Sequence, residues 1–270
     1  MRDVNKGPKI LNGAELAGFI KERQANMVNG VKRKPCLLII RDSDNPVILK
    51  YVRLKMQYGD DIGVKVIDYK ASGVEGIRKK ILEANEDTEI DGMILQLPIC
   101  EKENTDELTN LIKPTKDVDG LGKDAKFDSA TASAILWLLA GYDIPFDGKR
   151  VALVGRGKLV GAPLFKILSN SGVTVEMFHR GSDLTKLKDF DIIISATGQP
   201  GLVSGDYISS GAVIVDAGTA SEGGVLKGDV APEVRERTDL AAITPIIGGV
   251  GPLTITCLFE HLLEAYNKQN

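Results

Sequence analysis

The chain has 270 residues, enough for two domains, and its 43% apolar content is ample for two cores. Its 34 basic and 37 acidic side chains are interspersed for a net charge of −3, which argues against a nucleic-acid partner and for a small molecule. No apolar run approaches the ~20 residues of a membrane span, and the N-terminus lacks the apolar stretch of a secretory signal, so no membrane partner and a cytoplasmic location are expected.

Helical and strand periods alternate along the chain. The pattern predicts helix 13–28, strand 36–41, helix 46–61, strand 64–69, helix 74–85 and strand 90–96, a βαβαβ order that implies a parallel sheet. After Pro114 and the loop Lys116-Asp-Val-Asp-Gly120, a helix is predicted at 130–140, then strands near 150–155, 173–178, 191–196 and 212–216. An amphipathic helix at 251–267 ends this pattern and is expected to pack back on the first domain. The expected fold class is α/β. An N-terminal three-layer domain with a parallel sheet covers 1–128, joined by the helix 251–270. A C-terminal α/β domain covers 129–250 and includes an interdomain helix, with a cleft between the two. Cys36, Cys100 and Cys257 lie far apart, which fits reduced thiols, and no metal is expected.

Three features of the first domain carry chemistry. In helix 46–61, Ile48, Tyr51, Val52 and Lys55 fall at i, i+3, i+4 and i+7, so a lysine occupies the inward stripe. Partial burial lowers a lysine pKa by disfavouring the charged form, which suits proton transfer near neutral pH, although a snorkelling lysine fits the same spacing. Tyr51 offers a flat face for a heterocycle. Gln96 follows the apolar Gly92-Met-Ile-Leu95, placing it at the carboxyl end of a parallel strand, where open α/β sheets hold ligands. Asp119, in a Pro/Gly-flanked loop, can accept two hydrogen bonds from the amino and ring N–H groups of a pterin or guanine-like edge. A strand-end amide and an Asx-type turn are the structural alternatives for these two.

In the second domain, Arg150-Val-Ala-Leu-Val-Gly-Arg-Gly-Lys-Leu-Val-Gly-Ala-Pro163 reads as a buried strand, a glycine turn and a helix, so a Rossmann NAD(P)-binding domain is expected over 129–250. Gly155, Gly157 and Gly161 would let the backbone approach a pyrophosphate, although their G-x-G-x-x-x-G spacing also fits a turn without a ligand. Where an acid would read the ribose of NAD, at the end of the next strand, stand His179 and Arg180. With Arg156 they supply two guanidinium groups suited to a 2′-phosphate, so NADP is favoured; ordinary solvated arginines are the alternative.

Six stretches together resemble the methylenetetrahydrofolate dehydrogenase/methenyltetrahydrofolate cyclohydrolase family over nearly the whole chain. They are Tyr51-Val-Arg-Leu-Lys55, Asp91-Gly-Met-Ile-Leu-Gln-Leu-Pro98, Pro114-Thr-Lys-Asp-Val-Asp-Gly120, Val154-Gly-Arg-Gly-Lys-Leu-Val-Gly-Ala-Pro163, Gly228-Asp-Val230 and Thr244-Pro-Ile-Ile-Gly-Gly-Val-Gly-Pro-Leu-Thr254. The resemblance implies oxidation of 5,10-methylenetetrahydrofolate with NADP, then hydrolysis of the methenyl product to 10-formyltetrahydrofolate. It implies that Lys55 is the catalytic lysine, Gln96 its modulator, Tyr51 the ring that packs on folate and Asp119 the group that holds the pterin. It further implies folate contacts at Gly249 and Pro252, and a homodimer. Cofactor contacts are implied at Gly155, Arg156, Gly157, Gly161, His179, Arg180, Thr197 and Gly198.

Several positions depart from the family pattern: Gly157 stands where Ser is usual, Arg180 follows His179 in place of Ser, and Ser129-Ala-Thr-Ala132 replaces Pro-Cys-Thr-Pro. Ile99-Cys100 and Pro46-Val-Ile48 also differ, while the Tyr51, Lys55, Gln96 and Asp119 set is intact. The competing readings are a dehydrogenase of another small substrate, of the shikimate type, and a non-catalytic NADP-responsive regulator. An inward lysine argues against the regulator.

Overall fold

The computed structural model describes residues 7–218, 220–222 and 225–269. In the first half of the chain the elements are β1 (Lys9–Ile10), α1 (Gly13–Val28), β2 (Cys36–Arg41), α2 (Pro46–Ile62), β3 (Lys65–Lys70), α3 (Gly73–Glu86), β4 (Gly92–Leu95) and α4 (Thr105–Leu111). There follow α5 (Ala130–Gly141), β5 (Arg150–Val154), α6 (Gly161–Asn170), β6 (Thr174–Phe178), β7 (Ile192–Ser195), β8 (Val213–Asp216), β9 (Ala220–Glu222), β10 (Val225–Lys227), β11 (Ala242–Ile243) and α7 (Val250–Gln269). No helix among the described residues is long and apolar enough to cross a membrane.

The chain divides into two compact units. Among the described residues, one combines Gly18–Ala130 with 255–269; the other combines 7–17 with Thr131–Thr254. The first unit contains the three-stranded sheet β3-β2-β4, parallel throughout, as the βαβαβ order requires. Every residue of β2 and β4 is buried, the mark of parallel strands covered on both faces. Leu38, Ile40, Met93 and Leu95 pack with Ile77 and Ile81 of α3 in one continuous core. Each such side chain contributes roughly 1.5–3 kcal/mol relative to exposure. Two glycines let backbones come close: a Cβ on Gly59 of α2 would overlap Val66 of β3, and one on Gly92 would lie 2.6 Å from Val118 and 2.8 Å from Leu262 of α7.

The second unit is built on the six-stranded sheet β1-β11-β8-β7-β5-β6. All five of its strand pairings are parallel. Its core joins Ala152, Val154, Phe178, Ile193 and Ile214 to Leu187, Val203 and Val234. Here the chain departs from the expected division. β1 pairs with β11 through Lys9↔Ala242 and Ile10↔Ile243, so the earliest strand belongs to the sheet of the later residues. Two residues are too short to show a hydrophobic period, which explains why neither β1 nor β11 is legible in the sequence. The short antiparallel pair β9 and β10 is likewise additional to the predicted elements.

Candidate functional site

Helix α2 places Lys55. Asn45 caps its start by accepting the Val47 N–H at 2.9 Å, Pro46 occupies the first turn, and Gly63 ends it in the left-handed region at φ 81°. Ile48, Val52, Gly59 and Ile62 form the buried stripe, and the half-buried Lys55 sits among them at the helical spacing. Tyr51 lies one turn earlier and is also half-buried.

Strand β4 places Gln96. The Gln96 backbone N–H donates to Ile40 O at 2.8 Å, continuing the β2 ladder one residue past the strand. Gln96 as a whole is 9% exposed. Nε2 donates to Leu97 O at 3.1 Å, which fixes the amide so that Oε1 accepts from Lys55 Nζ at 2.8 Å. A neutral amide oxygen can accept from either an ammonium or a free amine, so this bond does not require the lysine to be charged. The contrast with Arg41, at the matching end of β2, is instructive. Arg41 is bound by Asp68 at 2.8 Å and Asp44 at 2.7 Å, whereas Lys55 has no ion pair among the described residues.

The loop after α4 places Asp119, and a neighbouring acid shapes that loop. Asp117 is buried and accepts the backbone N–H groups of Gly120, Leu121 and Gly122 at 3.1, 3.1 and 2.7 Å. Gly120 lies at φ 69°, and a Cβ there would overlap Asp128 O, so glycine is required. With Asp117 consumed by the backbone, the half-buried Asp119 carboxylate is left for other work. His261 of α7 pins the preceding peptide: its Nδ1 lies 2.9 Å from Val118 O, and its ring stacks on Phe127 at 5.0 Å. Since a carbonyl only accepts, Nδ1 carries the proton.

Burial pushes the Lys55 pKa down, and the Asp119 carboxylate partly opposes that shift. Burial likewise pushes Asp119 up to about 6, with Lys55 opposing it. The pair is therefore electrostatically coupled, and both groups titrate closer to neutrality than they would in water. Lys55, Gln96 and Asp119 thus meet in the unit that holds the three-stranded sheet. Sequence reasoning missed Asp117 and His261; the only available signals were an acid two residues before Asp119 and one of only two histidines on an apolar helix face.

The other unit holds the remaining candidates. Gly155 follows β5 at φ 106°, and its N–H donates to Phe178 O at 2.8 Å. A Cβ on Gly161, the first residue of α6, would overlap Gly155 O, so this glycine permits close helix–strand packing. Gly157 faces open space, with nothing within 4 Å of a Cβ position. The N-terminus of α6 has no side-chain cap, which leaves its positive dipole end available to an anion.

Register Val154↔Phe178 brings Arg156 and the turn His179-Arg180 to adjacent strand ends. Both arginines are exposed, and neither forms an ion pair with an acid among the described residues. His179 Nδ1 lies 3.0 Å from Arg180 O, within its own turn. Thr197 and Gly198 follow β7; the Thr197 N–H donates to Asp229 at 2.6 Å, and Gly198 lies at φ 67°. Gly249 is buried beside Pro245 O and Thr244, and Pro252 lies in the first turn of α7; both belong to this unit. An anionic dinucleotide fits this set: an open glycine turn, a helix N-terminus without a side-chain cap, and guanidinium groups unpaired with acids among the described residues.

Fold and site together define an α/β enzyme with a dinucleotide-binding sheet and a separate lysine-centred site. The tetrahydrofolate dehydrogenase/cyclohydrolase catalytic-domain model matches residues 11–119, and the NAD(P)-binding-domain model of the same family matches residues 129–270. The chain belongs to the tetrahydrofolate dehydrogenase/cyclohydrolase family. It is 35% identical to the bifunctional protein FolD of Staphylococcus carnosus, over 95% of this chain and 96% of that one. Among solved structures it resembles the bifunctional FolD methylenetetrahydrofolate dehydrogenase/cyclohydrolase of Campylobacter jejuni, with a TM-score of 0.91, 29% identity and coverage of 97% and 99%. It also resembles the Trypanosoma brucei FolD complexed with NADP cofactor and inhibitor, with a TM-score of 0.89, 29% identity and coverage of 97% and 98%.

Proposed function

We propose that this chain oxidises 5,10-methylenetetrahydrofolate with NADP and hydrolyses the methenyl product to 10-formyltetrahydrofolate, with Lys55 as the proton-handling residue. The observation that carries this reading is the half-buried Lys55 amine, bound to the neutral Gln96 at 2.8 Å and to no acid among the described residues. Bound NADP supplies the hydride acceptor of the first reaction.

The chain's own residues do the rest. Tyr51 packs its ring on the folate, and the Asp119 carboxylate accepts from the pterin's amino and ring N–H groups. Gly249 and Pro252 supply further folate contacts. In the hydrolytic step, water adds to the methenyl carbon, one carbon–nitrogen bond opens, and a net proton leaves to solvent. Burial shifts Lys55 towards its neutral form, whose lone pair can take the proton from the attacking water while an N–H still donates to Gln96. Gly155, Gly157 and Gly161 cradle the pyrophosphate, Thr197 and Gly198 contact the dinucleotide, and Arg156, His179 and Arg180 hold the 2′-phosphate. A homodimer and a cytoplasmic location complete the proposal.

The test is to mix purified protein with 5,10-methylenetetrahydrofolate and either NADP or NAD, following reduced cofactor and the methenyl and formyl products separately. Reduced NADP with formyl product is expected. Reduced cofactor with accumulating methenylfolate would refute the hydrolytic half, and no reduction with either dinucleotide would refute the whole reading.

A further inference from the structure

The Gly228-Asp229-Val230 motif has no part in the chemistry above, yet its carboxylate is the most enclosed acid near the ends of β7 and β8. Asp229 is 1% exposed. Its Oδ2 accepts two bonds, from Ser195 Oγ at 2.7 Å and from the Thr197 backbone N–H at 2.6 Å. Ser195 is the last residue of β7, and Thr197 opens the turn that follows, so one oxygen atom grips both sides of the strand end. Its Oδ1 is buried without a hydrogen-bond partner in the described structure.

The carboxylate is itself held from behind. The Asp229 N–H donates to Asp216 Oδ1 at 3.0 Å, and Asp216 pairs with Arg235 at 2.5 Å. Arg235 also donates to Thr244 O at 2.7 Å, while the Asp216 N–H donates to Thr244 Oγ1 at 2.9 Å. Register Ser195↔Asp216 makes these two strand ends neighbours. Two glycines are needed for the arrangement: a Cβ on Gly218 would overlap the Asp229 carboxylate, and one on Gly228 would overlap that of Asp216. Such a chain of satisfied bonds leaves the Ser195–Thr197 segment little freedom.

We propose that Asp229 is a positioning residue for the dinucleotide: it fixes the Thr197-Gly198 turn in its binding shape before the ligand arrives. This rests on the reading of that turn as a cofactor contact. Preorganisation of this kind raises affinity by removing an ordering cost from the binding step. Because Oδ1 has no partner among the described residues, asparagine can set its oxygen at the Oδ2 position, keep both bonds and place its amide nitrogen where Oδ1 lies.

The test compares Asp229→Ala, Asp229→Asn and Ser195→Ala by NADP titration calorimetry and by hydrogen exchange at the Thr197 amide in ligand-free protein. Asp229→Ala is expected to weaken NADP by about 10-fold or more and to speed Thr197 exchange, with Asp229→Asn within a few-fold of the parent on both. Ser195→Ala, which keeps the Thr197 bond, is expected to fall between them and covers the case in which the alanine variant does not fold. Unchanged Thr197 exchange in both alanine variants would overturn the proposal, as would Asp229→Asn behaving like Asp229→Ala. Gly198→Ala separates the underlying reading: if it leaves NADP affinity intact, the turn is not a cofactor contact, whatever Asp229 does to its exchange.

Discussion

The lysine site and the glycine-turn site solve opposite problems. Lys55, Gln96 and Asp119 are half-buried or buried and already engaged with one another, so the protein alone has altered how the two charged groups hold their protons. Arg156 and Arg180 are exposed and, among the described residues, unpaired with acids, which leaves both guanidinium groups open to an anion. On the function proposed, desolvation would tune reactivity at the first site, and open charge would provide recognition at the second. Substitutions at the first should therefore change rates and pH profiles, while those at the second should change affinities.

The largest expected effect breaks the first side of that comparison. Lys55→Met keeps the apolar stem but deletes the amine, and cyclohydrolase activity should fall by about 10²–10⁴-fold, the range of a lost acid–base group, with NADP binding nearly unchanged. Methenylfolate hydrolysis and cofactor titration on one preparation check both halves; hydrolysis at the parent rate would overturn the role.

Next, Arg180→Glu should weaken NADP by about 10–100-fold, since a charge-assisted hydrogen bond contributes about 1.5–3 kcal/mol, while NAD binding changes little. An unchanged preference between the two dinucleotides would assign the discrimination elsewhere, with Arg156 the first alternative. Gly161→Ala tests the turn itself. Overlap with Gly155 O should cost about 1–3 kcal/mol of stability and also weaken NADP, read by denaturant unfolding and by titration.

The smallest effect is the most discriminating. Asp119 opposes the downward shift of Lys55, so Asp119→Asn should lower the Lys55 pKa further and move the rising limb of the cyclohydrolase pH profile towards lower pH. In the parent protein, Asp119 titrates at about 6, and folate binding that needs its carboxylate should weaken as pH falls through that value. The asparagine variant should lose that dependence. A rising limb that stays in place would mean Asp119 does not act on Lys55.

Legibility in the sequence followed the same division. The α2 stripe could be read because apolar residues at helical spacing surround Lys55, and Gln96 could be read because an apolar run stops immediately before it. The glycine roles were only half legible. Spacing suggests a turn, but only the backbone geometry separates Gly161, which packs against Gly155, from Gly157, which faces open space. β1 was hidden because a two-residue strand carries no period. Asp117 and Asp119 look alike in sequence; three backbone N–H groups consume the first and leave the second. Asp229 shows the same limit, since the motif is visible but its grip on Ser195 and Thr197 depends on a fold that spans more than thirty residues.

The central claim is that burial holds Lys55 ready to take a proton, and the most direct measurement is the titration of its amine by nitrogen-detected NMR on selectively labelled protein, assigned with Lys55→Met. A midpoint clearly below the ordinary lysine value of 10.5, falling further in Asp119→Asn, is the expected result. A midpoint at or above 10.5 would contradict the account, because the amine would then be fully protonated at neutral pH and could not serve as the base.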